Sequence, residues 1–474
     1  MTKLIYETRE TINRAKMNSQ DENKQLELFN PSKPLELTFI QTKFTFIDFF
    51  AGIGGFRIPL EKLGGKCLGY SEIDKEAIKV YQQNFISYYN SEELNLGDIS
   101  KINSLPKNVD LFVGGVPCQP WSVAGKLKGF NDPRGQLWFN VIRLVKDYQP
   151  KAFIFENVKG LTTGKNKDKL EYLVNQFEQV NYVVSWKVIN SYDFGVPQNR
   201  ERVFIVGIRK DRKNCHHYQF PKPLKVQIRL LDVLDELKHC QVTEKVKLTP
   251  EILFNGNIPP SRNRFQKNDE LNDFFTFSDL RNGHTTLHSW DLTKTTAKEK
   301  NICLTLLKYR RSKKYGVKDG HPLSFEDLKE LIPQLKESDL TKLVNKNILR
   351  IINNKYEFVN SKNNSGINGI YRIFLPNSEM IGTLTATGAR DFFATVSINA
   401  DNPEEYKKEF IHKIYKPKKF KQIIAKHCSK LQGFPDWFKF HHKNNIAQKQ
   451  FGNSLPIPVV YHVGKELIKL LNIN

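Results

Sequence analysis

The six cysteines of this 474-residue chain form no Cys-x-x-Cys pair. They stand at positions 67, 118, 215, 240, 303 and 428. His216 and His217 follow Cys215, yet no second ligand pair lies at zinc-site spacing. Neither a metal centre nor a disulfide framework is therefore expected. Long apolar runs are also missing: none approaches the ~18 residues that a membrane-crossing helix requires. The segment 1–10 has no apolar signal-peptide core, so a soluble, cytoplasmic protein is expected. No internal repeat is present, which excludes a solenoid or propeller. Acidic residues are in deficit, 50 Asp and Glu against 73 Lys and Arg, giving a formal charge of +23. A polyanionic partner follows from that excess, with nucleic acid first.

What is present begins with a change of rhythm. Residues 1–43 are polar and charge-mixed, end near Asn30-Pro31-Ser32-Lys33-Pro34, and read as a partly disordered extension. From Phe44 strands and helices alternate. Strands are predicted at 44–50, 66–72, 111–114, 153–155, 182–189 and 203–208, and helices up to about 63, then at 74–84, 136–147 and 167–180. Short apolar strands alternating with helices predict an α/β fold with a parallel, doubly wound sheet. The alternation fails after about Lys210. Within the irregular stretch that follows, 324–332 and 338–344 read as two short helices, and 348–359 as a hairpin with an Asn353-Asn354 turn. Together they fit either a small winged-helix-like unit or an ordinary α+β insertion. The basic run Lys308-Tyr309-Arg310-Arg311-Ser312-Lys313-Lys314 just before it suits phosphate contact.

Two strand ends carry candidate chemistry. The first strand runs into Gly52-Ile53-Gly54-Gly55, where glycine lets a ligand approach the backbone. The second ends at Glu72, placed to hold a ribose diol, and Asp98 precedes a later strand, placed to accept from an adenine amino group. The third glycine of a dinucleotide-binding turn is absent, so a nucleoside ligand without pyrophosphate fits better, S-adenosylmethionine being one. After the strand at 111–114 comes Pro117-Cys118-Gln119-Pro120-Trp121. A thiol at the mouth of such a sheet can serve as a nucleophile.

Five segments in order, Phe50-Ala51-Gly52-Ile53-Gly54-Gly55, Pro117 to Ser122, Glu156-Asn157-Val158, Gln198 to Arg202, and Gln450 to Pro456, resemble the DNA (cytosine-5)-methyltransferases, most nearly the bacterial type II restriction-modification enzymes. The resemblance implies a Rossmann-like catalytic domain at 44–212, completed by 445–474, and a smaller target-recognition domain at 213–444. It implies methyl transfer from S-adenosyl-L-methionine, leaving S-adenosyl-L-homocysteine, to C5 of a cytosine flipped out of duplex DNA. Cys118 is then the nucleophile, Glu156 the group at cytosine N3 and Arg202 the stabiliser of the O2 side, with Arg200 supporting it.

On the cofactor the resemblance places Phe50, the glycines 52, 54 and 55, Glu72, Ile73, Asp98, Pro117, Leu137, Asn453 and Ser454. Several relatives have an aromatic where Ile73 stands. On DNA it places Gln119, the closing loop with Ser122, Lys126, Lys128 and Arg134, and Thr383 in the element Gly382 to Thr387. The usual Arg-Glu of the helix before Pro435 is replaced by Ala425-Lys426-His427. A monomer acting on double-stranded DNA, with a cognate restriction endonuclease as functional partner, is the expectation. A tRNA cytosine methyltransferase is disfavoured by the long recognition segment. Intact Cys118, Glu156 and Arg202 disfavour a silent DNA-binding homologue, and the missing glycine disfavours a nicotinamide oxidoreductase.

Overall fold

A computed structural model describes residues 42–86, 93–117, 135–242, 274–279, 285–316, 320–359, 371–386, 391–400 and 402–471. The extension up to residue 41 lies outside these, as do Cys118, Gln119, Ser122, Lys126, Lys128 and Arg134. The chain divides into two compact units, one of residues 1–228, 380–389 and 424–474, the other of 229–379 and 390–423.

The first unit is built on a seven-stranded sheet in the order β3-β2-β1-β4-β5-β7-β6. Its strands are β1 (Phe44–Phe49), β2 (Gly65–Ser71), β3 (Leu94–Asn95), β4 (Leu111–Gly115), β5 (Ala152–Val158), β6 (Tyr182–Asn190) and β7 (Glu201–Arg209). Strands β1 to β5 pair in parallel. β7 runs antiparallel to both β5 and β6, which corrects the expected all-parallel sheet. The reason is the connection: β6 and β7 are joined by a short segment with no crossover helix, and only a crossover lets neighbours run parallel.

Both faces of the central strands are covered, so β1, β4 and β5 are apolar on both sides. Ile47 and Phe49 of β1 join a core with Trp138, Val141, Leu144 and Val145 of α3 (Leu137–Tyr148) and Leu170, Leu173 and Phe177 of α4 (Lys167–Gln179). Phe44 and Phe46 join the opposite core with Leu60 of α1 (Arg57–Lys62) and Val460, Val463 and Leu467 of the C-terminal helix Ile457–Leu470. Between β2 and β3 lies α2 (Lys75–Tyr81), started by the Asp74 carboxylate, which accepts from the Glu76 and Ala77 N–H groups. The strand order reverses direction between β1 and β4. The crevice beyond the C-terminal ends of those two strands is where an α/β sheet binds ligands.

The two units meet along the chain at 228/229, 379/380, 389/390 and 423/424, beside an expected second domain of 213–444. Helix Ala425–Leu431 is held in the first unit because Gln198 Nε2 donates to the Leu431 carbonyl (2.9 Å) and Gln432 Nε2 to that of Phe451 (2.9 Å). Its His427, standing where Arg-Glu was expected, accepts the Ile424 N–H at Nδ1 (3.0 Å) and caps the helix.

The second unit has two cores. One lies on a five-stranded sheet, order β14-β13-β12-β8-β9, comprising β8 (Phe274–Phe277), β9 (Thr286–Leu287), β12 (Tyr371–Phe374), β13 (Phe392–Ala394) and β14 (Phe420–Gln422). Phe275, Ile373, Leu375 and Phe410 pack there. The other core binds α5 (Ala297–Tyr309), α6 (Phe325–Leu331) and α7 (Glu337–Asn345) to the hairpin β10 (Leu349–Ile352) and β11 (Lys355–Phe358).

Candidate active site

The turn after β1 is set by backbone that only glycine adopts easily. Gly52 and Gly54 have φ of +55° and +92°, and a Cβ on Gly54 would overlap the buried Phe85 ring. Gly55 lies under the C-terminal segment: a Cβ there would stand 2.9 Å from Ser454 Oγ. Ser454 is thus brought to the turn, while Asn453 beside it is exposed. Phe50, also at positive φ (56°), packs half-buried against the core that contains Phe49.

Glu72 ties the first two strand ends together. Its Oε2 accepts from Gly52 N–H (2.8 Å), and its Oε1 from Ile73 and Asp74 N–H (2.7 and 2.8 Å). Ile73 is 71% exposed, the highest value among the large hydrophobic residues described. Asp98 opens a short turn: its Oδ1 accepts from the Ser100 N–H (2.9 Å) and hydroxyl (2.8 Å). Those bonds hold the carboxyl below the usual range. Its Oδ2 has no hydrogen bond among the described residues. Ser71, at the end of β2, donates to the Gly97 carbonyl (2.6 Å) and so fixes the Asp98 turn against that strand.

At the adjoining edge, Glu156 of β5 and Arg202 of β7 meet. Arg202 Nε lies 3.0 Å from Glu156 Oε1, and both side chains are largely buried. Burial pushes the Glu156 carboxyl above its ordinary range, with Arg202 and Arg200 opposing. A cleft of about 280 Å³ opens here, lined by Val158, Lys159, Asn199, Glu201, Arg202 and Thr383. The Thr383 hydroxyl donates to the Asn199 carbonyl (2.6 Å). Asn157 turns back from β5 and donates to the Val116 carbonyl (3.1 Å), fixing the chain next to the half-buried Pro117, where the described residues break off before Cys118. Leu137 begins α3 and packs half-buried on the core.

Arg200 differs from the expectation of a supporting catalytic group. It is 2% exposed and donates to three main-chain carbonyls, Leu384 (2.8 Å), Gly452 (3.0 Å) and Ser454 (2.7 Å). Its geometry is that of a tether between distant segments. Gln198, also fully buried, accepts the Leu384 N–H as well as donating to Leu431.

A scan against family models matches residues 44–469 to the C-5 cytosine-specific DNA methylases. The chain belongs to that family. The type II methyltransferase M.HgiBI of Herpetosiphon aurantiacus is 46% identical over 426 residues, covering 90% of this chain and 97% of the relative. M.BanI of Aneurinibacillus aneurinilyticus, also a type II methyltransferase, is 34% identical over 449 residues, covering 90% and 96%. The solved structure of the Entamoeba histolytica methyltransferase EhMeth aligns with 90% of this chain and 99% of that one, at 15% identity and a TM-score of 0.48.

Three residues of this methylase escaped the sequence reading. Asn157 and Gln198 lay inside recognised segments, without sign of their partners. Asp48 is a single charge in the apolar run of β1, and that oddity was the available signal. It is fully buried, its carboxylate has no hydrogen-bond partner among the described residues, and burial drives it well above the usual range against the pull of Arg57.

Proposed function

We propose that this methylase transfers a methyl group from S-adenosyl-L-methionine to C5 of a cytosine flipped out of a short, specific duplex sequence, by way of a covalent bond from Cys118 to C6. The observation that carries the reading is the buried Glu156–Arg202 pair, 3.0 Å apart, at the sheet edge next to the exit of β4.

The crevice residues fit the cofactor. The glycine turn allows close approach, Glu72 Oε2 keeps a lone pair beyond its one backbone bond, and Asp98 Oδ2 is available for an adenine amino group. Exposed Ile73 offers an apolar surface for a base to cover. Ser454 lies at the turn for the carboxylate end. When bound, S-adenosyl-L-methionine supplies an activated methyl on a sulfonium centre.

The remaining work belongs to the chain. Cys118, as thiolate, bonds to C6; the C5–C6 double bond opens and its electron pair becomes available at C5. Glu156, whose carboxyl burial pushes upward, delivers a proton to N3. The Arg202 guanidinium faces the charge on the O2 side, and Asn157 and Arg200 position the loop and segments around it. Once C5 carries the methyl, a water takes the C5 proton, the pair left behind re-forms the C5–C6 double bond, Cys118 leaves C6 as the thiolate, and N3 returns its proton to Glu156. Loop 122–134, with Lys126, Lys128 and Arg134, closes on the phosphates behind the displaced base.

The relatives are named type II methyltransferases, which supports a place in a restriction-modification system, with a cognate endonuclease as functional partner. The test is a genome-wide 5-methylcytosine map of a methylation-free bacterial host expressing the protein. Methylation confined to one short motif is expected. An unmodified genome, with folded protein in the cell, sinks the proposal.

A further inference from the structure

The second core of the second unit has a recognisable order. It runs helix α5, an isolated bridging strand at Leu323, helices α6 and α7, then hairpin β10–β11. Leu323 pairs antiparallel with Tyr356 of β11, and Tyr356 pairs on its other side with Ile351 of β10. The central strand of the three is thus the last in sequence. Asn353 and Asn354, both at positive φ (48° and 59°), form the tight turn whose twist matches the hairpin. Helix, strand, two helices joined by a short turn, and a two-stranded wing form a winged helix-turn-helix. It has a core of its own, with Leu306, Leu328, Leu340, Leu343, Leu349 and Phe358 almost fully buried.

We propose that this module is a second DNA-reading element of the methylase, with α7 in the major groove and the hairpin on the neighbouring backbone. The proposal rests on the methyltransferase reading above. Two observations carry it. First, α7 is divided lengthwise. Leu340 and Leu343 face the core, while Ser338, Thr341, Lys342 and Asn345 are exposed at i, i+3, i+4 and i+7, and so share one stripe. These side chains are of the kinds that bond base edges and phosphates. The exposed carboxylate of the helix, Glu337, stands at its first residue, outside these four positions and one turn from Thr341.

Second, the charge matches a polyanion. Residues 297–359 hold fourteen Lys and Arg against eight Asp and Glu. Four of those acids are already engaged inside the module, in the pairs Glu299–Lys346, Asp339–Lys298, Glu357–Arg350 and Glu330–Lys314. Lys308, Lys313, Lys336 and Lys342 remain exposed. On the wing, Ile351 is 54% exposed and the Asn353-Asn354 tip is open to solvent.

The test measures equilibrium binding of two full-length variants, Lys342→Ala and the double variant Thr341→Ala/Asn345→Ala. The probes are a duplex several turns long carrying the motif returned by the methylation map, and a duplex of equal length and composition lacking it. All three altered side chains are exposed, so thermal melting should match that of the unaltered protein. The double variant should lose about tenfold in the ratio of specific to non-specific affinity. Lys342→Ala should weaken binding to both duplexes and lower the salt dependence by about one phosphate contact. Affinities within about twofold of the unaltered protein for both variants, with the salt dependence unchanged, overturn the proposal. In that case continued methylation of DNA by the unaltered protein leaves the enzyme reading standing. Failure of the unaltered protein to methylate DNA sinks both.

Discussion

Glu156 shows how placement sets the state of a side chain. Charged Arg202 beside it favours the carboxylate; burial favours the acid and is the larger influence. The folded-state value therefore lies above the ordinary one, and the proton stays on to a higher pH than on an exposed glutamate. If Glu156 supplies that proton, the single-turnover rate should fall as pH rises through this raised value. Glu156→Gln should lower the rate by about 10²–10⁴-fold and erase that descending limb, with cofactor affinity nearly unchanged. An equal loss of cofactor affinity would assign Glu156 to the wrong pocket. Cys118→Ala should abolish transfer while duplex binding persists; turnover by that variant would remove Cys118 from the mechanism. The sequence singles out both residues because each stands in a short local segment at the end of an apolar strand. Arg200 was legible as a residue and not as a role, since its carbonyl partners lie 184 to 254 positions along the chain. No local pattern records a contact of that separation.

Among the elements, the turn after β1 is the most constrained. Its glycines serve two distinct ends, left-handed backbone at Gly52 and Gly54 and clearance for Ser454 at Gly55. Gly54→Ala combines a left-handed conformation, costing about 1–2 kcal/mol, with an overlap on Phe85 costing about 1–3 kcal/mol. A loss of several kcal/mol in denaturant unfolding is expected, together with weaker cofactor binding. A variant as stable as its parent would show that the turn relaxes where the geometry says it cannot. Most strands and helices could be read from periodicity, because β1, β4 and β5 are buried on both faces and α3 and α4 on one. The direction of β7 could not, since its alternation is the same in either sense and only the missing crossover decides it. The winged helix was half visible. Its two short helices and Asn-Asn hairpin have local signals, whereas α5 and the Leu323 bridge join it only through packing.

At the scale of the whole molecule the excess of positive charge acts on association. The formal +23 is unevenly placed: residues 1–40 carry six Lys and Arg and six Asp and Glu, so the entire excess resides in 41–474. The family match likewise begins at residue 44, and M.HgiBI aligns over 97% of its own length with 90% of this chain. An extension outside the matched region that carries no net charge contributes nothing to long-range attraction of DNA. Deleting residues 1–40 should therefore leave the methylation rate within about twofold and the slope of log affinity against log salt unaltered, since that slope counts phosphates neutralised by cations. Paired measurements on the full chain and the truncated one, from low to physiological salt, decide this. A shallower slope would place cations of the extension on the phosphates despite its neutrality, with its acids turned away from the duplex. An unchanged slope with a lost rate would instead make the extension part of the catalytic unit by contact, not by charge.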